Sequence, residues 1–256
     1  MPKRPKRPKV LTLVHVPPLS KNKDEKAKKP YVRKPPPQPL DKPPVPIQEV
    51  LDYFKKAYPD AACGLRFNNP YELLMATILS AQCTDSRVNT VTEKLFQVFP
   101  TVESMADAEL SEVEELVKTC GFYHTKSVNM HKTARIITLA CDGKVPRSFG
   151  QLLSLPGVGP KTANVLLGNA FHTPALTVDT HLGRLSRRMG LSIQRNPELV
   201  EKDLMKLVPK NLWTRFSHQA ISHGRAVCKS RNPRCQTCGL ENCPSRPEIE
   251  PQPDQK

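Results

Sequence analysis

Two ionisable side chains and four thiols carry the chemistry open to this chain of 256 residues. Lys161 stands in the first turn of a predicted helix, directly after Leu155-Pro156-Gly157-Val158-Gly159-Pro160. A helix N-terminus is already positive, so a cation there opposes the dipole and something other than helix stability accounts for it. Two roles fit. The positive field and partial burial would favour the free amine of a nucleophile. A lysine there also suits a phosphate as a point charge. Asp179 follows 18 residues later, in Val178-Asp179-Thr180-His181, at the start of another helix. It reads as an N-cap. It reads equally as a carboxylate that takes a proton from an amine and stabilises positive charge on a sugar, as a glycosidase carboxylate does. Spacing alone leaves open whether the two groups meet.

Cys228, Cys235, Cys238 and Cys243 place four thiols within 16 residues, with intervals of six, two and four. Four thiolates suit tetrahedral zinc or an iron–sulfur cluster. Zinc sites usually come as two close pairs, and only one Cys-x-x-Cys is present. The wide first interval favours a loop wrapped around a larger object, with zinc as the second reading. Lys229, Arg231 and Arg234 lie in that first interval. They read as a phosphate-binding patch on a pinned loop, or as compensation for thiolate charge. Cys63, Cys83, Cys120 and Cys141 stand singly in apolar surroundings and read as small buried hydrophobes, with all thiols reduced.

The glycines of the 155–163 stretch bracket one apolar residue in a very short turn between helices. Glycine there allows a sharp turn and close approach to another chain. Turn amides and the following helix N-terminus then face one way and form an anion site. This is the helix-hairpin-helix pattern, which grips nucleic-acid backbone without reading sequence. The plain alternative is an αα-turn with no ligand.

The elements that must position these groups read as helices. Ile47, Val50, Leu51, Phe54 and Ala57 form one apolar stripe, closed by Pro59. Asn69-Pro70 opens a helix over about 71–81 that is apolar on nearly all sides and so belongs in a domain centre. Asp85 is the expected cap of a third helix, with Val88, Val91, Leu95 and Val98 on one face. Ser111 is the expected cap of a fourth, with Val113, Leu116 and Val117 facing in. A fifth spans about 125–141, and Ser148 with Gln151 has capping-box spacing for a sixth. Further helices fit 161–171, 180–190, 197–208 and 212–226. No long period-two alternation and no hairpin dipeptide occurs, so the predicted fold is all-α.

The net charge is +15, which points to a polyanionic partner. It is unevenly placed: residues 1–46 hold 13 Lys and Arg against 3 acidic residues, with 13 of the 27 prolines and no glycine. That composition predicts a disordered basic tail, with an import signal as the second reading of Pro2–Lys9. Residues 245–256 read as a second disordered tail. No apolar run reaches the ~18 residues of a membrane span, and the 11–16 run is too short for a secretory signal.

Four motifs in order resemble the endonuclease III family of base-excision DNA glycosylases: Leu79-Ser80-Ala81-Gln82-Cys83-Thr84-Asp85, the Leu155–Ala163 hairpin, Val178-Asp179-Thr180-His181, and the four-cysteine loop. His223-Gly224-Arg225 also looks like the family, and the resemblance covers about 47–244. It implies two helical domains, one over 63–173 and one joining 47–62 to 174–244, the latter carrying a [4Fe-4S] cluster on Cys228, Cys235, Cys238 and Cys243. It implies a monomer acting inside the cell on duplex DNA with a damaged base or abasic site, and no membrane. The target base would flip into the cleft between the domains. Lys161 would be the nucleophile at C1′ and Asp179 its assistant, with β-elimination cutting 3′ to the abasic site. Gln82 would fill the gap left by the base, and Phe122 would wedge into the opposite strand. Without the resemblance, Phe122 reads as a core aromatic. Leu155, Gly157, Val158, Gly159, His181, Lys229, Arg231 and Arg234 would complete the DNA contacts. The sequence departs from the family pattern in two places. The last cysteine interval is four where five is usual, and Pro160 stands where a basic residue is frequent. Adenine-mismatch relatives usually lack the lysine, 8-oxoguanine lyases lack the four cysteines, and a non-catalytic DNA-binding module would need neither Lys161 nor Asp179.

Overall fold

The structure, a computed structural model, describes residues 42–247. Among the described residues the regular elements are all helical. The two tail expectations fall largely outside them, but both boundaries move. Val45 is buried and its N–H donates to Met189 O at 2.9 Å. Arg246 donates to Cys238 O at 3.3 Å. Residues 43–46 and 245–247 therefore belong to the described body and not to the tails.

Helix α1 (Ile47–Ala57) buries Val50, Leu51 and Phe54, while Ala57 at the end of the stripe is exposed. Helix α2 (Pro70–Ser80) starts where Asn69 Oδ1 accepts from Glu72 N–H at 2.9 Å with Pro70 in the first position. Every residue from Tyr71 to Leu79 is buried, as a helix apolar all round requires. Helix α3 (Asp85–Val98) is capped by Thr84, whose hydroxyl accepts from Arg87 N–H, and not by Asp85. Its inner face is Val88, Val91, Thr92 and Leu95 and continues to Phe99, so Val98 lies off it and is 52% exposed. Helix α4 (Val102–Ala106) was not legible in the sequence: five residues are too few for a period, although Thr101 and Ser104 cap each other reciprocally. Helix α5 (Leu110–Val117) begins at Leu110 with Glu109 preceding it, so Ser111 lies inside it. Then come α6 (Tyr123–Ala140), α7 (Phe149–Leu153), α8 (Pro160–Ala170), α9 (Thr180–Arg188), α10 (Pro197–Leu207) and α11 (Trp213–Ala226). Ser148 caps α7 as its spacing predicts.

Buried apolar side chains form two clusters. The larger is built around α2 and runs from Leu65 to Ala175 through α3 to α8. The smaller joins α1 to α9, α10 and α11, with Leu240 from the cysteine loop. Each fully buried Leu or Phe contributes about 1.5–3 kcal/mol, so both clusters hold their helices firmly. Cys120 is buried as expected, but Cys63, Cys83 and Cys141 are only half-buried.

Three contacts set the functional residues in place. Lys126, buried on α6, donates to Leu79 O at 2.8 Å, placing a cation at the C-terminus of α2 and fixing the turn that follows. Asn164 on α8 donates to Leu176 O at 3.0 Å and to Glu201 Oε1 at 3.1 Å. The extended 174–178 segment has no strand partner among the described residues, so α11 side chains satisfy its backbone. Thr177 N–H donates to Ser217 Oγ at 3.0 Å, and Thr214 Oγ1 donates to Ala175 O at 3.1 Å. That segment delivers Asp179.

Candidate functional site

A cavity of about 300 Å³ opens where the turns after α2, the start of α8, the start of α9 and one face of α11 converge. Lys161, Asp179 and Gln82 all line it, so residues 97 apart in sequence at the extremes share one space. Lys161 sits in the first turn of α8 and is exposed, so the partial burial expected of it is not observed. Asp179 is the N-cap of α9: its Oδ1 accepts from Leu182 N–H at 2.8 Å. One carboxylate oxygen is thus committed to the helix, and the residue is half-buried at the cavity wall. Lys161 and Asp179 share the cavity without forming an ion pair. Both readings of Asp179, cap and cavity carboxylate, hold together in one side chain.

Gln82 lines the cavity, and the turn that carries Phe122 lies against its backbone. The Gln82 carbonyl oxygen is 3.8 Å from where a Cβ on Gly121 would stand, so the two loops touch. Both residues are left-handed, with φ of 54° and 59°. Such a conformation costs an L residue about 1–2 kcal/mol. Phe122 is 68% exposed, which overturns its plain reading as a core aromatic.

The hairpin joins α7 to α8. Gly157 has φ +78°, and a Cβ there would meet Asn129 at 3.1 Å, so the chain itself requires glycine. Gly159 differs: its φ is −99° and a Cβ would meet nothing within 4 Å. Nothing among the described residues demands glycine there, and the open space lies at the α8 N-terminus. Leu155 and Val158 are buried in the larger cluster, so their side chains hold the turn and only backbone remains to face a ligand.

The four-cysteine loop follows α11. Cys228, Cys235, Cys238 and Cys243 line one cavity of about 160 Å³. Arginines pin its start. Arg188 donates to Cys228 Sγ at 3.2 Å and to Lys229 O at 2.6 Å, and Arg184 donates to Cys228 O at 2.9 Å. His223 Nε2 is 3.7 Å from Cys238 Sγ, with its Nδ1 2.9 Å from the Tyr58 hydroxyl. Burial pushes the His223 imidazole down to about 4, so it adds no charge near neutrality. Burial pushes the Cys238 and Cys243 thiols up, and neighbouring thiols of the set add to that. Among the described residues no group of three or more Cys, His, Asp or Glu side chains is arranged to hold a single metal ion. Arg231 and Arg234 are exposed and Lys229 is half-buried, none of them paired with a carboxylate among the described residues. His181 turns away from the active cavity: its Nδ1 accepts from Arg184 at 3.2 Å, and it packs against Gly224, where a Cβ would meet it at 2.8 Å.

Residues 75–210 match the family model of the HhH-GPD superfamily base excision DNA repair protein. The Endonuclease III of Synechocystis sp. is 49% identical over 199 residues, 77% of this chain and 91% of that protein. That of Escherichia coli K12 is 41% identical over 194 residues, covering 76% and 92%. A solved structure of a non-covalent Endonuclease III–DNA complex superposes with a TM-score of 0.74 at 42% identity, covering 78% of this chain and 94% of that one. The chain belongs to the endonuclease III family.

In this endonuclease III family member, the cavity also holds Asn169, Thr214, Ser217 and His218, which sequence alone did not single out, and an ion pair of Asp85 with Arg225 at 2.8 Å, a pairing that the sequence did not show. Asp85 and Arg225 both lie inside the family motifs, so a signal for them existed. Asn169, next to last in α8, and His218, within α11, stand in unremarkable sequence, and only the meeting of the two helices reveals them.

Proposed function

We propose that Lys161 is the nucleophile by which this chain, a DNA glycosylase and AP lyase of base excision repair, removes oxidised pyrimidines from duplex DNA. The observation that carries the reading is the convergence of Lys161, Asp179 and Gln82 on one cavity between the two apolar clusters. The Lys161 amine attacks C1′ of the deoxyribose and the glycosidic bond breaks, its electron pair leaving with the base, which takes up a proton. Asp179 accepts the amine proton and stabilises the positive sugar through the oxygen not committed to Leu182. The C1′–O4′ bond then opens, O4′ taking up a proton, to leave the Schiff base; loss of a C2′ proton from it breaks the C3′–O bond, whose electron pair leaves with the phosphate, and the strand is cut 3′ to the abasic site.

The DNA lies across the cavity mouth. Gln82 occupies the gap left by the extruded base and Phe122 wedges beside it, which gives the two left-handed residues a use for their strain. Hairpin amides around Gly157 and Gly159 hold one phosphate at the α8 N-terminus, with Arg231, Arg234 and Lys229 holding others. His181 acts at one remove, by seating Arg184 against the cysteine loop. The two apolar clusters support a reading as two domains, 63–173 and 47–62 with 174–244, although Ala175 packs in the larger cluster and Val45 precedes the second domain; the chain acts as a monomer inside the cell.

The four thiols fit a [4Fe-4S] cluster: they surround one cavity and have arginines beside them to offset thiolate charge. When bound, the cluster supplies four iron–thiolate bonds that pin the 228–243 loop. The decisive experiment incubates the protein with a thymine-glycol duplex and borohydride. Wild type forms a covalent adduct and Lys161→Ala does not. Equal trapping by both proteins, or none by wild type, overturns the lysine assignment. Iron and sulfide analysis tests the cluster, and stoichiometric zinc without iron overturns it.

A further inference from the structure

The active cavity has a second polar wall, formed by Asn169 of α8 and Thr214, Ser217 and His218 of α11. Most of its hydrogen-bonding capacity is already used. Thr214 Oγ1 donates to Ala175 O, and Ser217 Oγ donates to Trp213 O at 2.9 Å. Asn169 Nδ2 donates to Val165 O at 2.8 Å, which leaves its Oδ1 as the atom 2.7 Å from His218 Nε2. An amide oxygen only accepts, so His218 Nε2 carries the hydrogen. Burial lowers the His218 pKa, which keeps the ring neutral. A neutral imidazole with hydrogen on Nε2 presents a lone pair at Nδ1. Among the described residues no group bonds that nitrogen. The half-buried His218 ring lines the cavity, and Nδ1 is the ring nitrogen left for a ligand there.

We propose that His218 is a specificity-determining residue whose Nδ1 accepts a hydrogen bond from the ring N–H of an extruded base. The inference rests on the base-removal reading above and names the chemistry it selects: an imide, with N–H between two carbonyls, as in 5,6-dihydrothymine. A base whose N3 is itself an acceptor, such as 5-hydroxycytosine, would set lone pair against lone pair in a confined site and is disfavoured. Asn169 is a positioning residue that fixes the tautomer.

The test measures single-turnover base release from duplexes containing either lesion and takes the dihydrothymine to 5-hydroxycytosine rate ratio. Borohydride trapping on a pre-formed abasic site, where no base is present, is the reference for each protein. His218→Phe removes the acceptor and lowers the ratio roughly tenfold, the size of one hydrogen bond to a confined partner. Asn169→Asp sets a carboxylate beside Nε2, which favours the imidazolium and turns Nδ1 into a donor, so the ratio swings toward 5-hydroxycytosine. This second variant carries the test if the first folds poorly. Ratios within about twofold of wild type in folded variants that still trap at abasic sites overturn the role of His218, being smaller than the effect of removing a hydrogen bond. No trapping by wild type overturns the lyase reading, and this inference with it.

Discussion

Asp179 separates two roles at the scale of one residue. Its Oδ1 caps α9 through Leu182 N–H, while the side chain lines the cavity with Lys161. Asparagine caps a helix about as well as aspartate, and alanine does not. Asp179→Asn is therefore expected to leave stability within about 0.5 kcal/mol of wild type and to keep DNA binding, while single-turnover base release slows by about tenfold or more. Asp179→Ala is expected to lose a further ~1 kcal/mol in urea denaturation. If the asparagine variant releases base at the wild-type rate, the carboxylate has only its structural role. His218 makes a second prediction, in pH. Its pKa is depressed in the folded protein by burial from the ordinary 6.5. Above that value the ring is neutral in both states. As pH falls through it, the unfolded chain takes up a proton that the folded one resists, so stability is lost toward acid. The drop in denaturation midpoint between about pH 7.5 and 5.5 is expected to shrink in His218→Phe, and an unchanged drop refutes the assignment.

Among the elements, the hairpin offers the sharpest contrast because its two glycines have different causes. Gly157 is required by φ +78° and by Asn129, whereas Gly159 has an ordinary φ and open space beyond it. Gly157→Ala is expected to cost more than ~1 kcal/mol of stability. Gly159→Ala is expected to leave stability unchanged or slightly raised while weakening duplex affinity, since its methyl stands where a phosphate would approach. Calorimetry alongside fluorescence anisotropy reads both, and a Gly159→Ala protein with wild-type affinity removes the phosphate from that turn. The same split explains what the sequence made legible. The hairpin, the all-round apolar α2 and the Ser148 cap were readable because their causes are local: a turn, a period, a hydroxyl two or three residues from an amide. Helix α4 was too short to show a period. Thr84, one residue earlier, caps α3, and the Asp85 carboxylate instead pairs with Arg225, 140 residues away. Lys161 and Asp179 were legible as candidates through their motifs. Their shared cavity was not, since it depends on Asn164 and on Ser217 and Thr214 fixing the segment between them. The Asn169–His218 wall has no local cause at all.

At the scale of the molecule, charge and chemistry are separately placed. Residues 1–41 hold 12 Lys and Arg against 3 acidic residues, net +9 of the total +15, while the cavity, the hairpin and the cysteine loop all lie beyond residue 60. Screened, nonspecific attraction to phosphates needs only charge, whereas base release needs the cavity. Deleting 1–41 is therefore expected to weaken binding to undamaged duplex and to flatten the salt dependence, by about 0.9 in the log–log slope for each phosphate that the segment no longer neutralises. Single-turnover base release from bound, damaged duplex should be unchanged. The deletion point matters: cutting at 46 also removes Val45, which is buried in the smaller cluster and bonded to Met189, at an expected cost of roughly 1–3 kcal/mol. Anisotropy titrations over a salt series with full chain and truncation settle the matter. If the two slopes coincide, the basic segment does not touch DNA, and the hairpin and cysteine loop supply the electrostatic attraction on their own.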